Sequence, residues 1–224
     1  MATGERLGTG SVVPGSSLST LHLTRSMTTL PAAIDSSRRL TDFIIANLGE
    51  RAEAVTVNGV LAITLHSISL DHREATLLLV DAGAFTSSRA VARSCLEAYV
   101  TASWAEHIAS EDDVRKFMRS ERPAPSFETM AQQLRKSHPW GELFEKLRSH
   151  YKTLSDYAHG STRQVSRWVS PDCIGPRHAE AEMVEVLRFV DAIGVLACIS
   201  RESISSRAIE PFTTKLDDVL QGRA

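Results

Sequence analysis

The chain has 224 residues, of which 42% are apolar and 23% charged, with a formal net charge of −2. That is long enough to bury one sizeable core, in the proportions of an ordinary globular domain. No global basic field draws it to nucleic acid, so any contact with RNA or DNA must be local. Cys95, Cys173 and Cys198 are odd in number, far apart and lack a Cys-x-x-Cys pair. This argues against a disulfide framework or zinc knuckle and suits a reducing cytoplasm.

Residues 1–33 are rich in Ser, Thr and Gly, with Glu5, Arg6 and Arg25 as their only charges. They lack the basic region and apolar core of a secretory signal, and carry too little arginine for a transit peptide. A disordered tail is expected, because little apolar surface offsets chain entropy. Met27 is an alternative start. A helical bundle domain is expected over 34–205 and a C-terminal tail with a short helix over 206–224.

Asp35-Ser36-Ser37 reads as the cap of a first helix running to about Asn47, with Leu40, Phe43, Ile44 and Leu48 on one face. The next carries Val57, Leu61, Leu65, Ile68, Ala75 and Leu79 and stops near Gly83. A third, from about Thr86 to Ala109, is dense in Ala, Val and Leu. Ser110 before Glu-Asp-Asp caps a fourth, ending before Pro123, and Ser126 caps a fifth. Leu143, Leu147, Tyr151 and Leu154 mark a sixth, ending at Gly160 as a C′ glycine. Residues 161–178 form a long connection, and a seventh helix runs from about Ala179 to Ser203. Pro211, Phe212, Leu216 and Val219 mark the short terminal helix. The uncharged run 54–70 contains six polar side chains and is too short for a membrane span, which needs roughly 20 apolar residues. The fold class is all-α: an antiparallel helical bundle of about six to seven helices.

Polar residues on apolar faces are the candidates for function. Arg93, Glu97, Val100, Trp104 and Ile108 share one face of the third helix, which is apolar nearly all round and therefore central. Its two charges must pair, either as a core bridge fixing helix register or as the floor of a site. His72 occupies the apolar stripe one helix earlier, whereas His66 lies off it. Glu185, Arg188 and Asp191 read as a solvated face, and Arg148 and His150 as surface groups.

The segment Asp156-Tyr-Ala-His159-Gly160-Ser-Thr-Arg163-Gln-Val-Ser-Arg167-Trp168 sets an imidazole at a helix end beside two guanidinium groups. The helix dipole there favours the imidazolium, and the arginines suit a bound anion. His159 and Arg163 are the candidate catalytic pair; Arg93, Glu97, His72, Arg167 and Trp104 are candidate binding residues. No glycine-rich phosphate loop, metal-spaced His pair or serine elbow is present, so neither cofactor nor metal is expected.

From about Leu70 to Ser200 the chain resembles a bacterial family of small helical proteins of unknown function. The resemblance rests on Asp71-His72-Arg-Glu, Arg93-x3-Glu97-Ala-Tyr, Trp104 and the His159-Gly160 segment with Arg167. More distantly, the helical order is similar to the HEPN superfamily, which includes RNases of toxin and phage-defence systems as well as inactive binding modules. Active HEPN RNases carry Arg, four to six residues, then His on one helix; this chain has no such pair. The resemblance implies a cytoplasmic RNA-binding or RNA-processing module with an RNA or nucleotide ligand and a cognate antitoxin-like partner. Any catalysis would be metal-independent RNA cleavage. The alternatives are a non-enzymatic interaction protein, as a homodimer, and a small-molecule sensor with an apolar pocket beside Trp104.

Overall fold

The computed structural model describes residues 28–49, 52–158, 165, 168, 169, 174 and 178–223. Among them are eight helices: α1 (Leu30–Asn47), α2 (Val57–Asp81), α3 (Phe85–His107), α4 (Glu111–Met118), α5 (Phe127–Ser137), α6 (Gly141–Ala158), α7 (Glu180–Ile204) and α8 (Glu210–Leu220). No strand occurs among the described residues; Val169 and Ile174 form one isolated antiparallel bridge. The all-α expectation holds, with α8 completing the set as the short terminal helix.

Local chemistry sets most of the boundaries. Thr56, Ser110 and Ser126 each accept a hydrogen bond from a backbone N–H in the first turn of the following helix. Such caps contribute about 1 kcal/mol apiece. After α2, Gly83 adopts φ +75°, and Ala84 N–H donates to the Leu79 carbonyl at 2.8 Å. This left-handed turn reverses the chain at a position where a side chain would be strained. α2 and α3 then run antiparallel: Ser69 Oγ donates to the Cys95 carbonyl at 2.9 Å and Asn58 Nδ2 to the Ala105 carbonyl at 2.7 Å.

α1 departs from expectation. It begins at Leu30, capped by Thr29 and with Pro31 in its first turn, so Asp35-Ser36-Ser37 lies inside it. Proline suits the first turn because the N–H it lacks has no helical acceptor there. The extra turn is held by burial: Leu30, Ala33 and Ile34 pack with Leu77 and Val80 of α2 and Met183, Val184 and Leu187 of α7. Burying each large aliphatic group contributes about 1.5–3 kcal/mol, enough to outweigh the polar cap further on.

α3 is central, touching α2, α5, α6 and α7, while α7 touches α1, α2, α3 and α8. Leu96, Val100, Phe144, Val190, Ile193 and Phe212 lie in one continuous core, so α8 is integral to it. Two polar groups in this interior overturn the sequence expectation. Asp191 is buried rather than solvated: its Oδ1 accepts from Arg73 Nε at 2.8 Å and from Ser37 Oγ at 2.8 Å. Arg73 also donates to the Ser37 carbonyl, to Thr41 and to Glu74. Burial pushes the Asp191 pKa up, opposed by Arg73 and Ser37. His66, off the apolar stripe, is nonetheless fully buried, because α2 packs on both α3 and α7.

Candidate functional site

The Arg93–Glu97 pair forms as the i, i+4 spacing predicts, but at the border of the core, with side chains 16% and 38% exposed. Arg93 Nη2 donates to Glu97 Oε1 at 2.9 Å and to Tyr151 Oη at 2.8 Å, and Tyr151 Oη donates to Glu97 Oε1 at 3.0 Å. The triangle ties α3 to α6. Tyr151 stacks on Phe127 with ring centroids 3.8 Å apart, which fixes the phenol, and the Arg93 guanidinium also lies over the Tyr151 ring. Burial lowers the Arg93 pKa, but the Glu97 charge and the hydrogen bonds to Tyr151 and Glu97 outweigh it, and the guanidinium ends above its ordinary value.

Three further polar groups continue from this triangle toward the start of α3. Arg89, one turn before Arg93, is 3% exposed and pairs with Glu182 of α7 at 2.6 Å. Thr86 Oγ1 lies 3.1 Å from His178 Nε2, just before α7. The contacts Arg93–Tyr151 and Tyr99–Phe144 make α3 and α6 antiparallel, which carries Ser155 to the level of Arg89. Ser155 Oγ is buried there without a hydrogen-bond partner among the described residues. His150 packs on Phe189 of α7; burial lowers its pKa, opposed by Glu185. It is therefore not the plain surface group expected. α3, α6 and the first turns of α7 thus contribute to one polar cluster with two guanidinium groups, two carboxylates and a phenol.

Of the residues singled out in the sequence, Arg93 and Glu97 meet here. His159, Arg163 and Arg167 lie outside the described residues; α6 delivers the chain as far as Ala158, immediately before them. His72 is half-buried, and its side chain makes no hydrogen bond or ion pair among the described residues. The charge buried on α2 is its neighbour Arg73. Trp104 is buried, its Nε1 donating to Gln133 Oε1 at 3.0 Å, and lies eleven residues along α3 from Arg93, about 16 Å by helical rise. It belongs to a different place. Sequence reasoning missed Arg89, although Arg89, Arg93 and Glu97 are successive i, i+4 positions on one face.

Among the described residues no group of three His, Cys, Asp or Glu side chains is placed to hold a metal ion. No described helix is long and apolar enough to cross a membrane. Neither the comparison with curated proteins nor that with solved structures gives a match. Residues 66–211, well over half of the chain and including the polar cluster, match a family of unknown function (DUF6988), and the protein belongs to that family.

Proposed function

We propose that the protein is an RNA-binding or RNA-processing helical module of the HEPN-like kind. Its phosphate-contacting surface combines Arg93 with His159, Arg163 and Arg167. One observation carries this reading: Arg93 is oriented by Glu97 and Tyr151 yet still partly open, beside the helix whose end leads into His159. A guanidinium held in one orientation suits phosphate recognition, since less freedom is lost on binding. In a catalytic version, His159 withdraws the ribose 2′-hydroxyl proton. The 2′-oxygen then attacks the adjacent phosphorus, and Arg163 offsets charge on the phosphate oxygens as the bond to the 5′-oxygen breaks and that oxygen takes a proton from water.

The test is single-stranded RNA binding and cleavage, with growth arrest on expression, for the wild type, His159→Ala and Arg163→Ala. Loss of binding or cleavage in both variants at unchanged thermal stability supports the reading. Equal activity in His159→Ala removes the catalytic version, and unchanged RNA affinity in both variants removes the module.

A second reading is a non-enzymatic interaction protein. The closed triangle favours it, because Arg93 is already neutralised by Glu97 and the trio suffices as a clamp between α3 and α6. It predicts that Arg93→Ala and Glu97→Ala lower stability and that no RNA binds.

A further inference from the structure

A cavity of about 220 Å³ opens on the far part of α3, between the end of that helix, α4, the α4–α5 connection and α5. Ile108, Pro123 and Pro125 form its apolar wall, and the Trp104 indole lies beneath. Asp113, Arg122 and Gln133 supply its polar groups.

The hydrogen-bonding capacity left at this cavity is one-sided. Asp113 spends one carboxylate oxygen on Arg122 Nη1 at 3.0 Å and the other on Ser110 Oγ at 2.7 Å. Those partners, Ser110 first, hold its carboxyl below the usual range, so it is an anion already satisfied. Trp104 Nε1 can only donate, so the Gln133 oxygen must face it, which turns the Gln133 NH₂ away as a donor. Arg122 uses one of its five N–H groups on Asp113 and keeps a second edge of its planar fork. A ligand here therefore needs an acceptor at one end and an apolar body at the other.

We infer that this cavity binds a small carboxylic acid with a compact apolar or aromatic body. The carboxylate lies between Arg122 and Gln133 Nε2, and the body rests on Ile108, Pro123, Pro125 and the indole. The volume is below the roughly 300–1,000 Å³ of drug-sized pockets, so the ligand is small. This inference is independent of the RNA reading, because the cavity shares no residue with the polar cluster around Arg93.

The test is calorimetric titration of the full chain with benzoate, cyclohexanecarboxylate and benzamide, with tryptophan fluorescence followed in parallel. At least one acid should bind saturably with a Kd of about 1 mM or tighter, and benzamide about tenfold more weakly than benzoate. Arg122→Gln removes the charge, and Gln133→Glu sets a carboxylate against that of the ligand. Both positions are exposed, so the fold should persist, and circular dichroism checks it. Each variant should weaken acid binding by about tenfold or more. Absence of saturable binding of either acid to the folded wild type overturns the inference, as does equal affinity in both variants.

Discussion

Replacing His66 by leucine should flatten the acid side of the stability curve. The imidazole is fully buried against Tyr99, with ring centroids 5.6 Å apart, and neither ring nitrogen has a hydrogen-bond partner among the described residues. Burial, with a smaller contribution from the His107 charge, pushes its pKa down to about 3 from 6.5. The unfolded chain takes up this proton below pH 6.5, whereas the folded chain resists it until about pH 3. The penalty is thus absent above pH 6.5 and grows as pH falls, by about 1.4 kcal/mol per pH unit. Between pH 7.5 and 5.0 this amounts to about 2 kcal/mol, a large part of a typical stability of roughly 5–15 kcal/mol. Urea unfolding of wild type and His66→Leu at both pH values isolates the contribution as a double difference, in which groups titrating alike in both proteins cancel. The wild type should lose about 2 kcal/mol more than the variant. Parallel losses would show that the ring is hydrated or protonated in the native state, refuting the burial argument.

Glu106 is the mirror case. Burial raises its pKa to about 7; its Oε2 has no hydrogen-bond partner among the described residues and lies 3.4 Å from His107 Nε2, a ring whose own pKa burial lowers. The contribution of its proton is fully present below pH 4.5 and lost as pH rises through about 7. Glu106→Gln should therefore stabilise the protein by about 2–3 kcal/mol more at pH 8 than at pH 5, read by urea unfolding; no pH dependence in that gain would contradict the assignment. For the Arg73–Asp191 pair, Arg73→Met strands a buried carboxylate and should cost about 3–5 kcal/mol, whereas Arg73→Met with Asp191→Leu should recover part of that loss. Additive losses in denaturant melts would mean the two residues do not act as a pair.

What was legible in the sequence follows the range of each interaction. Ser110 and Ser126 cap within three residues, and Arg93 meets Glu97 one turn away, so spacing alone finds them. The start of α1 was hidden because Asp35-Ser36-Ser37 has cap chemistry, yet Ser37 spends its hydroxyl on Asp191, 154 residues away. Asp191 was misread for the same reason: its guanidinium partner lies 118 residues back, where no helical periodicity reaches. His66 failed differently. A single-stripe reading assumes one buried face, but α2 is covered by both α3 and α7.

The same distinction bears on the polar cluster around Arg93. Arg93–Glu97 is a local pair, and by itself would be an ordinary surface bridge contributing roughly 0–1 kcal/mol. Tyr151 changes its character: a hydroxyl brought from another helix bonds to both partners and removes their freedom to swing apart. Arg89 likewise pairs across helices, with Glu182 on α7. Three helices thus converge on charges that two of them cannot satisfy alone, directly before the His159 segment. That convergence orders the tests: His159→Ala removes the imidazole and leaves Arg93, Glu97 and Tyr151 in the chain, whereas Arg93→Ala removes a member of the clamp itself. RNA affinity lost in His159→Ala at unchanged stability would therefore speak for a site, and loss confined to Arg93→Ala together with stability would speak for the clamp.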